Sequence, residues 1–222
     1  MKKNKIMRIA SVLLVAVILT TCAISGTFAK YVKSGSGSDT ARVAKFGVNV
    51  EATGTTFAKE YVTHDNEVVG TIAKSVVSTE DVVAPGTFGD MAAFTLSGTP
   101  EVAVNVAFTG TLELGDKWVD STSAYYCPIE ITVSGDTLKG TDYASAELFE
   151  EAVNAKIATF TKDYAANTTD LSTIGADAPV ISWKWAFTGN DDVKDTYLGD
   201  QAAAGNAATI SLSVTATVTQ ID

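Results

Sequence analysis

The chain has 222 residues, 46% of them hydrophobic, with 26 Asp and Glu against 16 Lys and Arg for a net charge of −10. That balance excludes the basic footprint by which proteins hold nucleic acid or anionic membrane surfaces. One histidine and two cysteines exclude a His-rich zinc site and leave little for a disulfide framework.

Lys2, Lys3, Lys5 and Arg8 form a positive n-region ahead of a sixteen-residue apolar run, residues 9–24, and Thr27-Phe28-Ala29 then supplies small residues at −3 and −1. As a helix the run spans about 24 Å, short of a hydrocarbon core of about 30 Å. It reads as a secretory signal, residues 1–29, cut between Ala29 and Lys30; the alternative is a retained single-pass anchor. Contact with a membrane is then expected only through the uncut signal. The mature chain holds 193 residues, with twelve cations against 26 anions and a net charge of −14. That length suits one sandwich-sized domain. Cys22 lies in the apolar run, and Thr21 before it is a poor fit to a lipoprotein cleavage box. Cys127 reads as a small buried hydrophobe.

Residues 30–41 form a flexible N-terminal segment. Lys30, Tyr31, Val32 and Lys33 are a short β-prone tag, and residues 34–38, Ser-Gly-Ser-Gly-Ser, are a tether. From Arg42 the pattern has period two: Ala44, Phe46, Val48 and Val50 alternate with polar or small residues, as in a half-buried strand. Residues 68–77 are a second apolar-rich segment, and Pro85-Gly86 marks a turn. Residues 91–96 are another strand candidate. Val102, Val104, Val106 and Phe108 share one face of the next strand, which Leu112 and Leu114 continue across a bulge at Gly110. Ile129, Ile131 and Val133 follow, closed by a turn at Gly135-Asp136.

The spacing then changes. Phe149, Ala152, Val153, Ile157, Phe160 and Tyr164 recur by threes and fours and predict one helix over about 145–162, with Ser145 or Asp142 as its cap. Ile181, Trp183, Trp185 and Phe187 form an aromatic strand that supplies much of the core. Residues 188–206 read as a long connection. The chain closes on the cleanest alternation, Ile210, Leu212, Val214, Ala216 and Val218 against Ser and Thr, so its last strand is integral to a sheet. The prediction is an all-β domain over residues 42–222 with one inserted helix, an antiparallel jelly-roll or Greek-key β-sandwich.

Chemistry-bearing motifs are sparse. There is no His-Glu-x-x-His and no phosphate-binding glycine loop, and His64, in a polar stretch, has no nucleophile elbow near it. No catalytic residue and no cofactor is assigned, and an enzyme is not expected. Asp191, Asp192 and Asp195 cluster oxygen ligands of the kind calcium takes, without EF-hand spacing. Trp183 and Trp185 would make a carbohydrate platform only if exposed.

The signal region ending Gly26-Thr27-Phe28-Ala29-Lys30-Tyr31-Val32, the strand Ala44-Lys45-Phe46-Gly47-Val48 and the turn Val83-Ala84-Pro85-Gly86 resemble the TasA/camelysin family. So do Trp183-x-Trp185-x-Phe187, Asp195-Thr196-x-Leu198-Gly199 and residues 214–222. These are secreted proteins of Gram-positive bacteria whose signals are cut by a dedicated signal peptidase. The resemblance implies a jelly-roll subunit of extracellular biofilm-matrix or cell-surface fibres that polymerises with copies of itself, head to tail, by strand donation. The donor would be Lys30, Tyr31, Val32 and Lys33, reaching towards Val43. The metalloprotease label attached to camelysin-type members does not carry over, for want of a zinc signature. The competing expectation is a monomeric cell-surface module that binds a glycan or host ligand.

Overall fold

The computed structural model describes residues 13, 42–52, 56–62, 71–90, 94–167, 170–172, 178–187 and 191–221. Contacts divide the chain into Met1–Lys45 and Phe46–Asp222, and the architecture that follows is that of the second unit. Its described strands are β1 (Asn49–Ala52), β2 (Glu60–Tyr61), β3 (Ala73–Lys74), β4 (Phe88–Asp90), β5 (Phe94–Ser97), β6 (Val104–Leu114), β7 (Ile129–Val133), β8 (Asp136–Lys139), β9 (Thr161–Tyr164), β10 (Ile181–Trp185) and β11 (Ile210–Gln220). Two helices interrupt them, α1 (Ala146–Ala158) before β9 and α2 (Asp192–Ala203) before β11.

Every pair of these strands is antiparallel. The two larger sheets run β4-β10-β7-β8 and β11-β6-β9, with β1-β5 and β2-β3 as separate pairs. The fold is therefore all-β with inserted helices. Alternation places Ile129, Ile131, Val133, Ile181, Trp183 and Trp185 of one sheet and Val104, Val106, Phe108 and Leu112 of the other in one buried cluster. Trp118 and Trp185 meet at 5.9 Å between ring centroids, and Trp183 packs on Phe57 at 5.0 Å and edge-on to Tyr61 at 6.0 Å.

Turns follow their residues. Pro85 and Gly86 occupy the centre of a turn closed by Thr87 N–H to Ala84 O at 3.0 Å, and Gly86 supplies the positive φ of 83° that a type II turn needs. Ser134 and Gly135, at φ 48° and 95°, make the two-residue connection of the β7–β8 hairpin.

Helix α1 forms where the spacing predicts it. Ser145 Oγ accepts from Leu148 N–H at 3.4 Å, and Phe149, Val153 and Ile157, four residues apart, are fully buried. Each such burial contributes about 1.5–3 kcal/mol. The helix ends at Ala158, though, not near Lys162. Thr161–Tyr164 is β9, so Phe160 and Tyr164 extend the helical spacing by coincidence.

Four further expectations are corrected. The strand read from Arg42 begins only at Asn49, because Gly47 turns the chain with φ 55°. No bulge interrupts β6: its register with β11 runs unbroken from Val104↔Gln220 to Leu114↔Ile210. Gly110 instead makes room for α1, since a Cβ there would collide with the Ile157 side chain. Phe187 leaves the core and is 79% exposed. The connection 188–206 contains α2, a helix with one buried residue, Leu198. It is stopped by Gly205 at φ 85°, with Gly205 N–H on Ala202 O and Asn206 N–H on Gln201 O, the bond pattern of a Schellman motif.

Candidate functional site

The two sides of the β11-β6-β9 sheet are finished in opposite ways. Strand β9 pairs only with residues 104–107 of β6. Past that point the chain has become α1, which lies along the vacated side. Phe108 N–H still reaches Phe160 O at 3.0 Å; Leu112 N–H then donates to Asn154 Oδ1 at 2.8 Å and Leu114 N–H to Glu150 Oε1 at 2.6 Å. The fit is geometric. Residues four apart on a helix advance about 6 Å, and residues two apart on a strand about 6.8 Å. Glu150 and Asn154 can therefore stand in for the carbonyls of a missing strand.

These bonds also fix the direction of every backbone group in the sheet. Even-numbered residues of β6 face β9 and α1, so odd-numbered ones face β11, as Gly115 N–H to Thr209 O and Ile221 N–H to Ala103 O confirm. The register pairs Thr109 with Thr215. Odd-numbered residues of β11 therefore bond to β6, while the even-numbered ones, Ile210 to Gln220, point their N–H and C=O groups outward. Among the described residues no strand lies on that side.

This is an edge of eleven residues, Ile-Ser-Leu-Ser-Val-Thr-Ala-Thr-Val-Thr-Gln, without a charge or a proline. Its apolar face is only half-buried from Ile210 to Val218. Charges, prolines, bulges and short length are the usual ways of blunting an edge. The other sheet has only short outer strands, β4 with three residues and β8 with four. An edge such as β11 can take up a further strand through main-chain hydrogen bonds, with alternate side chains settling on the half-buried face.

The sequence-predicted residues fall elsewhere. Ala29, Lys30, Tyr31, Val32 and Lys33 lie outside the described residues, as does His64. The three aspartates begin α2, where their charge complements the helix N-terminus. Asp195 is turned inward: its carboxylate accepts from Tyr126 Oη at 2.7 Å and Trp185 Nε1 at 3.2 Å, pinning α2 to the core. Burial pushes its pKa up in spite of these two bonds, which favour the anion. Among the described residues no three His, Cys, Asp or Glu side chains gather as metal ligands.

Cys127 is fully buried, and desolvation pushes its thiol up to about 12, so it stays protonated. Trp183 and Trp185 are core residues, not a surface platform. Among the described residues no helix is long and apolar enough to cross a membrane. The chain matches no family model, no curated protein and no solved structure. The β11 edge itself was missed as a site. Its signal was present in the sequence: a long alternating strand of Ser, Thr and aliphatics with nothing to guard it.

Proposed function

We propose that the chain is a secreted structural subunit of an extracellular biofilm-matrix or cell-surface fibre, assembling by donation of an N-terminal strand from one copy to the β11 edge of the next. The observation that carries this reading is the asymmetry of the β11-β6-β9 sheet, plugged by side chains on one side and, among the described residues, left uncovered by any strand along eleven residues on the other. A segment from Lys30 to Val43, its Gly/Ser tether included, would reach about 48 Å when extended, long enough to bring Lys30 to Lys33 onto a β11 edge of about 37 Å, at about 3.4 Å per residue. Lys30, Tyr31, Val32 and Lys33 would lead, and the Gly/Ser tether would let the donor leave its own body. Donor and acceptor are different surfaces, so the contact is heterologous and propagates as an open filament. The jelly-roll arrangement of the two larger sheets and processing by a signal peptidase belong to the same proposal.

The test compares Lys30–Asp222 with a version starting at Asp39, by light scattering and negative-stain microscopy. Filaments from the longer form alone, with the shorter one folded and monomeric, support the reading. A third protein, Lys30–Asp222 carrying Ala216→Pro, removes one outward N–H without touching a bond to β6, and is expected to stay folded and not polymerise. Filaments from it at the parental rate refute β11 as the acceptor. If the unmodified longer form stays monomeric over a broad range of pH and concentration, the fibre proposal fails.

A further inference from the structure

The outer face of the β4-β10-β7-β8 sheet carries features that fibre assembly does not use. Cross-strand register places two rows of side chains on it. One row is Phe88, Lys184, Glu130 and Lys139; the other is Asp90, Ser182, Thr132 and Thr137. In the first row Glu130 is the hub, with Lys139 Nζ at 3.0 Å and Lys184 Nζ at 3.2 Å. Its side chain is 12% exposed, while the two ammonium groups are about half exposed. In the second row the hydroxyls of Thr132 and Thr137 bond to each other at 2.8 Å.

A cavity of about 520 Å³ takes in part of these rows, lined among others by Phe88, Asp90, Thr132, Ser182, Lys184 and Phe187. That is within the range of sites that bind small molecules, which combine apolar walls with a few convergent polar groups. Phe88 is 44% and Phe187 79% exposed. Both rings line the cavity, together with hydroxyl, carboxylate and ammonium groups.

We infer that this face is a binding site for a neutral saccharide chain, with Phe88 and Phe187 stacking on the C–H faces of the sugar rings and Asp90, Thr132, Ser182 and Lys184 bonding to their hydroxyls. The chemistry selects the ligand. Charges on the face are balanced, since Glu130 and Asp90 offset Lys184 and Lys139, and the chain as a whole carries −10. A polyanion meets net repulsion. A peptide of apolar side chains would strand the polar floor, and unpartnered polar groups oppose such binding. A hydroxyl-rich chain with apolar ring faces satisfies both surfaces. Strands lie about 4.8 Å apart, close to the length of one hexose unit, so successive sugars laid across the strands meet successive side chains of a row.

The experiment is fluorescence anisotropy of the full chain with three labelled neutral hexasaccharides, a β-1,3-glucan, an α-1,4-glucan and a chitin oligomer, with an oligogalacturonate as the anionic comparison. Saturable binding of at least one neutral probe is expected, weakened at least tenfold by Phe88→Ala with Phe187→Ala. Both rings are solvent-facing, and the melting temperature checks that the fold is kept. Ser182→Ala with Thr132→Val provides a second variant, expected to weaken binding severalfold and sufficient to decide if the first does not fold. No saturable binding of any neutral probe, equal binding by the variants, or binding of the anionic probe alone overturns the inference. None of these outcomes bears on polymerisation, which the β11 edge governs separately.

Discussion

Replacing both Glu150 and Asn154 by alanine withdraws the two acceptors that finish the inner side of β6. Leu112 and Leu114 N–H, at 2.8 and 2.6 Å from their present partners, then face the helix with nothing to bond. An unsatisfied buried donor costs about 1–3 kcal/mol, and these two are partly buried, so the pair costs about 2–4 kcal/mol. A body of this size loses about 2–4 °C of Tm per kcal/mol, which gives a fall of about 5–15 °C in a thermal melt of the version starting at Asp39. Glu151→Ala on the exposed side of α1 is the control, expected to change stability by less than about 0.5 kcal/mol. Glu150→Gln keeps a side-chain oxygen and should recover most of the loss. A double variant that melts no lower than Glu151→Ala would refute the idea that α1 replaces a strand. The double variant should also aggregate more readily, because β6 then presents a second unguarded stretch of backbone.

Gly110→Ala forces its methyl against Ile157 and is expected to cost about 1–3 kcal/mol as overpacking, in urea titration, with Ile157→Val restoring part of it. Asp195→Asn leaves one oxygen for two donors, Tyr126 and Trp185, and should lower stability by about 1–3 kcal/mol. The pH dependence has a definite sign. Burial raises the Asp195 pKa above its ordinary 3.8 in the folded chain, so the folded state holds that proton more tightly than the unfolded one. Its contribution is greatest below 3.8 and is lost as the pH rises through the folded-state value; Asp195→Asn should flatten that decline in acid-range denaturation curves. Cys127, buried and protonated, should react with a thiol reagent only at the rate of unfolding, and labelling of the native protein at a free-thiol rate would contradict its placement.

The long strands and the first helix were legible because their burial is periodic. β6, β10 and β11 alternate over enough residues to exclude a helix, and Phe149, Val153 and Ile157 repeat at four. Helix α2 was hidden because it has almost no apolar stripe: Leu198 alone is buried. Its readable marks were Asp192 and Asp195 in the first turn and Gly205 just past the end, capping signals whose weight is small beside burial. β9 was absorbed into α1 because Phe160 and Tyr164 happen to continue the helical spacing. Gly110 is ambiguous in sequence, since a bulge and a close approach both call for a missing Cβ. The plugged side of β6 rests on two polar helix residues of a kind that usually face water, and only the register shows what they accept.

The partners in the longest ladder are far apart along the chain. Val104 waits for Gln220 and Leu114 for Ile210. A polypeptide emerging from its N-terminus can complete α1, β9 and the β7–β8 hairpin while the odd-numbered backbone groups of β6 still have no ladder. Closure of such distant pairs is slow, and until it occurs β6 is open to any neighbouring chain. The last strand thus does two jobs in order: it seals the body first, and only then does its own outer rim come into being. Under the strand-donation proposal, assembly cannot begin on a subunit whose synthesis has not passed Gln220.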